Sequence, residues 1–342
     1  MNGEPLVYAC VGDLSGKVRG KGFPAARLPD RLRRGVGWTP TNIQITCFDT
    51  IAVSPYGSFG DVVLWPLPDT EVRVDFGEGR PLEHFFLGEI THTDGRPWEG
   101  CLRTLLRTTL ERFTDRTGLT IQAAFEHELM LKGERATGAA FSLDGFRRAK
   151  RLGETFMGAL RDAGMAPDSF LREYGRQQYE VTVEPAPALR ATDHALVLRE
   201  LAHAAALACG EAITFTPLAD AAGVGNGVHV HLSFLDRNGA PATFDPAGPH
   251  GLSAVAGSFA AGILRHMPAL VALTAPSLVS YARMVPHRWS AAFNNLADRD
   301  REAGIRICPT SARNEAGRAR QFNLEYRAAD AAANPHLLLA AL

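Results

Sequence analysis

The stretch Gly225–Phe234, GNGVHVHLSF, combines two glycines with a strand pattern that carries a histidine at every second position. In an extended strand, successive side chains point to opposite faces of the sheet. Val228, Val230, Leu232 and Phe234 would therefore share an apolar face, while His229 and His231 point the other way. Gly225 and Gly227 would let the backbone approach a ligand closely. The segment raises the question of what the two imidazoles meet.

Three other segments predict strands with one apolar and one polar face. Such a face is often only the solvated side of an antiparallel sheet, but here none of the polar faces carries a lysine. Glutamate and histidine side chains suit divalent cations, and several carboxylates on one sheet repel one another unless a cation neutralises them. We therefore predict a metal site, with one or both histidines as ligands. The polar-face residues are Glu126 and Glu128 in AAFEHELML, Gln178, Glu180 and Thr182 in RQQYEVTVEP, and Asn323, Glu325 and Arg327 in FNLEYRA.

The composition is that of an ordinary globular protein. The 342 residues are 46% hydrophobic and 21% charged, with a net charge of −1. This balance gives no electrostatic reason to expect nucleic acid or an anionic membrane as a partner. The five cysteines include no C-x-x-C pair, which favours reduced thiols in a cytoplasm over a disulfide framework or a zinc knuckle.

No targeting or membrane segment is expected. The start of the chain, MNGEPLVYACVGDLSG, lacks the basic beginning and long apolar stretch of a signal peptide. The longest apolar candidate, GSFAAGILRHMPALVALTAPSLV, is interrupted by Arg265, His266 and Pro268. The sequence thus predicts a soluble cytoplasmic protein.

The chain divides into two predicted domains, 1–95 and 96–342. The first is rich in short strands separated by Gly and Pro, and the second alternates strands with helices, which together indicate an α+β fold. The first domain's predicted strands are LVYACVGDL, NIQITCFD, DVVLWPLP and TEVRVDFG. A helix in PWEGCLRTLLRTTLERFTDRTG would open the second domain. Further helices are predicted in GFRRAKRLGETFMGALRDAG, ATDHALVLRELAHAAALACGEA, GLSAVAGSFAAGILRHMPALVALTA and NPHLLLAAL.

Six blocks of the sequence resemble, in order, motifs of the glutamine synthetase family. The resemblance covers most of the chain, and its blocks are FEHELML, LREYGRQQYEV, GNGVHVHLSF, SYARMVPHRW, DREAGIRIC and NLEYRAADAAANPHL. It implies a small N-terminal β-grasp domain and a catalytic domain with a curved antiparallel sheet flanked by helices. It further implies homo-oligomeric rings, usually double, with active sites between neighbouring subunits.

The resemblance also implies roles for individual residues. Glu128, Glu173 and Glu180 would hold one divalent cation, and Glu126, His229 and Glu325 a second, as Mg²⁺ or Mn²⁺ in a set of two or three ions. Arg283, Gly225 and Trp289 would contact the substrates, and Arg301, Arg327 and Asp49 would act in catalysis. Asp49 would come from the neighbouring subunit. The residues implied at ATP are Arg301, Arg306, Arg320, His231 and Ser233.

Several positions depart from the family pattern. Trp289 replaces a glutamate of ammonia-using enzymes and resembles the subgroup that joins larger amines to glutamate, or the FluG-like proteins. An aromatic residue there could pack against an alkyl or aryl amine. Val224 replaces an asparagine that holds the amino end of glutamate, which leaves open another carboxylic acid. At the nucleotide site, Asn323 stands for an arginine and Leu218-Ala219 for Lys-Pro, and the chain ends at PHLLLAAL, where family members continue.

The sequence thus predicts an ATP-dependent carboxylate–amine ligase. It would phosphorylate the γ-carboxylate of glutamate and form a γ-glutamyl amide with an amine larger than ammonia. The alternatives are a glutamine synthetase that uses ammonium, a non-catalytic homologue, and a metal-dependent amidohydrolase. An amidohydrolase binds no transferring phosphate, so it would not need Arg283, Arg301 and Arg306.

Overall fold

The computed structural model describes residues 3–77, 79–133, 136 and 138–342. Its N-terminal part is a sheet in the order β2-β1-β5-β4-β3, in which β1 and β5 run parallel and the other neighbours antiparallel. A short helix, α1 (Leu28–Arg34), lies against β4. The strands are β1 (Leu6–Gly12), β2 (Val18–Pro24), β3 (Val36–Trp38), β4 (Val62–Val74) and β5 (Glu83–His92).

One predicted strand of this region is absent from the described residues. NIQITCFD instead forms the end of a 3₁₀ helix, Pro40–Gln44, followed by a turn. The Thr46 hydroxyl accepts hydrogen bonds from the amides of Phe48 and Thr50, and Asp49 adopts a φ of 58°. Local side-chain bonds of this kind compete with a strand ladder, and for that reason the β-rich composition misled the prediction. The segments DVVLWPLP and TEVRVDFG, predicted as two strands, join as the single strand β4.

The second sheet runs β12-β13-β14-β11-β6-β8-β7, with β9 and β10 paired at β6. Its pairs are antiparallel except β12 with β13, which are parallel, so the expected antiparallel sheet is mixed at this edge. The strands are β6 (Thr120–Leu131), β7 (Pro167–Arg172), β8 (Gln178–Val183), β9 (Ala186–Pro187), β10 (Ile213–Thr214), β11 (Val228–Leu235), β12 (Phe293–Asp298), β13 (Ala303–Ile307) and β14 (Leu324–Tyr326).

Helices cover the apolar face of this sheet. The predicted helix in GFRRAKRLGETFMGALRDAG is divided at Ala149 into α3 and α4. Side chains of α5 share one buried cluster with Leu129 of β6 and with Cys10 and Leu87 of the N-terminal sheet, so α5 joins the two sheets. The helices are α2 (Leu102–Thr117), α3 (Leu143–Arg148), α4 (Lys150–Asp162), α5 (Ala188–Ala208), α6 (Ala254–Thr274), α7 (Leu278–Arg283), α8 (Glu315–Gln321) and α9 (Pro335–Ala341).

Helix α6 is long and apolar enough to cross a bilayer, by length and composition only. Among the described residues it is the single helix of this kind. It is continuous through Arg265, His266 and Pro268, and Met267 and Leu270 are buried in the protein core. One such helix is weak evidence for a membrane span, because core helices of globular proteins meet the same criterion.

The strand alternation predicted from the sequence is observed. Phe125 and Leu129 of β6 are buried in the core, while Glu126 and Glu128 lie on the opposite face. On β11, Val230 and Phe234 are fully buried. Since adjacent strands place opposed residues on the same face, the polar faces of β6, β8, β11 and β14 combine into one surface.

Candidate active site

Strand register brings the predicted metal ligands together in opposed pairs. On neighbouring strands, Glu126 is paired with His229, Glu128 with Glu180, and His231 with Glu325. Glu173 follows β7 directly, next to the strand that carries Glu180. Residues from separate parts of the sequence thus meet because their strands are neighbours in the sheet.

This surface is the floor of a cavity of about 590 Å³. Most of the predicted site residues line it, although Glu325, His231, Ser233, Arg320 and Asp49 do not. Its lining residues are Glu126, Glu128, Phe141, Leu171, Glu173, Tyr174, Glu180, Val224, Gly225, His229, Arg283, His287, Arg288, Trp289, Ser290, Arg301, Arg306 and Arg327.

Two groups of donor atoms have the spacing that one cation requires. Within each group the ligand atoms lie within 4.8 Å of one another. The first group is Glu126, Glu180 and His229, and the second is Glu126, His231 and Glu325. Carboxylate oxygens with an imidazole nitrogen fit Mg²⁺ or Mn²⁺. These groups divide the residues differently from the expected sets, since Glu126 is shared and His231 takes part.

The electrostatics of the floor also fit a cation. Burial and the charge of Glu173 raise the pKa of Glu128 to about 7, although the Gly227 amide donates to its Oε2 at 2.6 Å. Burial and the charges of Glu126 and Glu128 likewise raise the pKa of Glu180. Crowded carboxylates resist ionisation because like charges repel at short range. A bound divalent cation would relieve that repulsion.

Glu325 lies in a different electrostatic environment. It is fully buried, and burial alone would raise its pKa, but His229, Arg327, His231 and a hydrogen bond from Arg306 lower the pKa to about 2. Arg306 Nε and Arg327 Nη1 each donate to one of its oxygens. Glu325 is therefore ionised at neutral pH, and two buried guanidinium groups are fixed beside the cavity.

Arg283 forms one wall of the cavity next to the glycine loop. The side chain is 3% exposed, and its Nη2 donates to the Ala329 carbonyl at 2.9 Å. A Cβ atom at Gly225 would lie 2.6 Å from Arg283 Cγ and 2.2 Å from the Pro217 carbonyl oxygen. Gly225 is therefore required for the arginine to pack here, and the guanidinium is placed where it can bind a carboxylate.

The remaining nucleotide-site candidates line a second cavity of about 380 Å³. His231, Ser233 and Arg320 contribute to its wall, and Glu126 lines both cavities. Arg301 and Arg306 instead belong to the first cavity. The two cavities therefore meet at the carboxylate cluster, with basic residues on both sides.

Asn323 fixes the orientation of the His231 ring. The Asn323 amide nitrogen donates to the Gln321 carbonyl at 2.9 Å, which directs its Oδ1 toward His231. That oxygen lies 2.9 Å from His231 Nδ1 and can only accept a hydrogen bond. His231 Nδ1 is therefore the donor, and Nε2, 3.6 Å from a Glu126 oxygen, faces the second ligand group.

An aromatic cluster at the first cavity was only partly foreseen from the sequence. Trp289 contacts Tyr174 edge to face, with ring centroids 5.2 Å apart, and Tyr174 contacts Phe141 at 5.0 Å. Each side chain is about half exposed. Tyr174 directly follows the predicted ligand Glu173, so its sequence position indicated that it could lie near the site. Phe141 belongs to a loop that is distant in sequence, and no motif there pointed to the site.

Asp49 lies on the N-terminal part, away from both cavities. It is exposed and forms ion pairs with Arg19 at 2.8 Å and Lys17 at 3.5 Å. The Arg19 hydrogen bond and the Lys17 charge lower the pKa of Asp49. Its expected role concerns a neighbouring subunit and stays a prediction.

Comparison with protein families gives two matches that together span nearly the whole chain. A family model of the glutamine synthetase catalytic domain matches residues 99–342. A model of the glutamine synthetase N-terminal domain matches residues 4–98.

Individual relatives agree with this result. The chain is 33% identical to a gamma-glutamylpolyamine synthetase of Streptomyces coelicolor, over 100% of this chain and 74% of that protein. It is 27% identical to type-1 glutamine synthetase 1 of Dictyostelium discoideum, over 98% and 72%. Among solved structures, a novel glutamine synthase homolog has 43% identity and a TM-score of 0.94, covering 99% of this chain and 81% of that one.

Proposed function

This chain belongs to the glutamine synthetase family of C–N bond-forming ligases, and from that membership we propose that its amine substrate is larger than ammonia. The proposed reaction joins the γ-carboxylate of glutamate, or a similar acid, to this amine at the expense of ATP. The observation that carries the proposal is the aromatic cluster of Phe141, Tyr174 and Trp289 at the cavity that contains the carboxylates.

ATP is required because a carboxylate is a poor acyl donor. Transfer of the γ-phosphoryl group to the substrate carboxylate forms an acyl phosphate and ADP. Attack by the neutral amine then forms the amide bond, expels inorganic phosphate and releases a proton. Positive charge around the phosphoryl oxygens stabilises such transfers, and Arg301 and Arg306, which line the first cavity, would supply it.

Divalent cations held by Glu126, Glu128, Glu173, Glu180, His229 and Glu325, with His231 as a further ligand, would neutralise phosphate charge when bound. Arg283 and Gly225 form the proposed wall that binds the acid substrate. Arg327 would stabilise the negative charge that develops at the acyl group during the reaction. His231, Ser233 and Arg320 line the cavity that we assign to the nucleotide. Burial of Arg283 and Arg327, both 3% exposed, strengthens their interaction with an anionic substrate.

The aromatic cluster supports an amine with an organic substituent. Indole and phenol rings offer an apolar surface to an alkyl chain and an electron-rich face to a second ammonium group. Residue 289 is a tryptophan, so its side chain offers no carboxylate to bind a small ammonium ion. The Streptomyces coelicolor relative is named for polyamines, which supports the same substrate class.

We further propose that the domain boundary lies between residues 95 and 96. We also propose that the protein is a cytoplasmic homo-oligomer, in the form of a double ring with active sites shared between subunits. Three apolar residues of the loop that carries Asp49 are largely exposed to solvent: Phe48 is 84% exposed, Ile51 63% and Phe59 86%. Apolar side chains grouped in this way favour contact with another protein surface, here a second copy of the chain.

The test is phosphate release with ATP, glutamate and Mg²⁺ or Mn²⁺, comparing ammonium with a panel of alkyl amines, aryl amines and polyamines. We expect an organic amine to give the higher kcat/KM. In the Trp289→Glu variant the preference should move toward ammonium. The Trp289→Phe variant should keep the preference for the organic amine. Ammonium as the best substrate of the wild type would instead establish a glutamine synthetase, and inactivity across the panel would indicate another acid or a non-catalytic homologue.

A further inference from the structure

The loop that presents Trp289 has an unusual backbone. Three non-glycine residues in five positions, His287, Trp289 and Ala291, have φ values of 65°, 51° and 59°. L-residues rarely adopt this left-handed region and remain in it only when the surroundings enforce it. Hydrogen bonds must therefore hold the conformation. Within the loop, the Ser290 hydroxyl bonds to the Val285 amide and carbonyl, and Arg288 donates to the Ala221 and Gly223 carbonyls.

Glu302 adds a constraint at Trp289 itself, from the turn between β12 and β13. Its Oε1 accepts the Trp289 amide hydrogen at 2.6 Å, and its Oε2 accepts that of His287 at 3.3 Å. One carboxylate thus binds two backbone N–H groups of the loop. Hydrogen bonds to an ionised acceptor are about twice as strong as those between neutral groups.

The carbonyl group of Trp289 is held by Arg327, which lines the first cavity. Arg327 Nη2 donates to the Trp289 carbonyl at 3.1 Å, and Arg327 Nε donates to the Arg301 carbonyl at 3.0 Å. Arg301 is the chain neighbour of Glu302. The backbone of Trp289 is therefore fixed between Glu302 and Arg327, and its position is tied to that of the carboxylate floor.

We propose that Glu302 is a positioning residue that sets Trp289 against the amine-binding end of the cavity and so determines amine specificity. The inference rests on the proposed function. Glu302 is not among the cavity-lining residues, so it acts through the loop and not by touching the substrate. Loss of its carboxylate should release the strained loop and move the indole away from Tyr174.

The test compares Glu302→Ala, Glu302→Gln and the exposed-surface control Glu154→Ala. We expect Glu302→Ala to raise KM for the organic amine by about tenfold, on the scale of one lost charge-assisted hydrogen bond, with KM for ATP unchanged. Glutamine keeps one acceptor for the Trp289 amide, so Glu302→Gln should restore much of the loss. Equal changes in both KM values, or no change in either, would overturn the proposal.

A second readout does not depend on turnover. Trp289 is 51% exposed, whereas Trp38 and Trp98 are buried and Trp65 is partly buried. The part of acrylamide quenching that disappears in Trp289→Phe therefore reports this indole. We expect Glu302→Ala to increase the acrylamide quenching of Trp289, and Glu154→Ala to leave this quenching unchanged. Unchanged quenching in Glu302→Ala would overturn the positioning role. If the wild type joined no amine, the proposed function would fail while quenching still decided the role of Glu302.

Discussion

Glu126 on β6 lies directly opposite His229 on β11, and its Oε1 is 2.6 Å from His229 Nδ1. The other oxygen of Glu126 is 3.6 Å from His231 Nε2. One carboxylate thus contacts both imidazoles of the GNGVHVHLSF strand. Because Glu126 belongs to both candidate ligand groups, it is the residue on which cation binding should depend most.

We expect Glu126→Gln to weaken Mn²⁺ binding by more than about tenfold, equivalent to roughly 1.4 kcal/mol. The substitution removes a charged ligand from both groups while it keeps the side-chain volume. Calorimetric titration with Mn²⁺ in the absence of nucleotide measures the effect, and Glu154→Gln on the exposed face of α4 is the control. Unchanged affinity would contradict the assignment of the cluster as a metal site.

Asn323→Leu should also reduce Mn²⁺ affinity, by about tenfold, because it removes the acceptor that orients His231. Partners that orient a ligating histidine typically contribute 10- to 100-fold in metal affinity. Asn323→Asp retains an oxygen near Nδ1 and should restore binding. If Asn323→Leu bound Mn²⁺ as the wild type does, His231 would not belong to the second ligand group.

Gly225→Ala is expected to impair binding of the acid substrate. The added Cβ would meet the Pro217 carbonyl oxygen at 2.2 Å and Arg283 Cγ at 2.6 Å, so the guanidinium must shift. A displacement of about 1 Å at a positioning group can cost about 100-fold in rate. Steady-state kinetics should show the loss in kcat/KM for glutamate with an unchanged KM for ATP. Gly262→Ala on α6, where a Cβ meets open space, should leave activity unaffected; a similar loss there would contradict the steric explanation.

Asp193 should be important for stability at neutral pH. It accepts hydrogen bonds from Arg103 and lies 2.8 Å from His336 Nε2, linking α5 to α2 and α9. Breaking a buried ion pair costs on the order of 3 kcal/mol, so Asp193→Asn should lower the free energy of unfolding by about that amount. Urea denaturation at pH 7 measures it, with the exposed Asp162→Asn variant as the control.

The pH dependence follows from the direction of the shift. Burial opposes ionisation of Asp193, but His336 and Arg103 lower its pKa below the ordinary value. The unfolded state then binds the proton more readily, so this stabilisation is present above about pH 4 and is lost as the pH falls through the lower folded-state pKa. The difference between wild type and Asp193→Asn should therefore shrink below pH 4. A constant difference from pH 7 to pH 3 would show that the carboxylate charge is not responsible.

Sequence alternation was sufficient to predict the floor of the site. It placed Glu126, Glu128, Glu180 and His229 away from the core, and the structure does the same. It failed for NIQITCFD, where the Thr46 side chain satisfies local amides. Helix α2 and strand β6 were predicted to within a few residues, since their periodic patterns are long.

The positions of Tyr174, Phe141 and Glu302 could not be predicted in the same way. Periodicity assigns a residue to a face of its own strand or helix, but it carries no information about which loop lies across the cavity. Trp289 was singled out by the local motif, whereas its contact with Tyr174 depends on the arrangement of two chain segments far apart in sequence. The same holds for the two hydrogen bonds that Glu302 accepts from its loop.

The sequence by itself determined the α+β class, the family and the faces on which the metal-binding candidates lie, because alternation along a strand is a local property of the backbone. Only the tertiary structure decided that Glu126 belongs to both candidate ligand groups, that Asn323 bonds to the His231 ring and that Glu302 accepts two hydrogen bonds from the Trp289 loop. Each of these relationships joins residues on different elements. They are set by strand order, register and loop packing, which arise when the whole chain buries its apolar faces together.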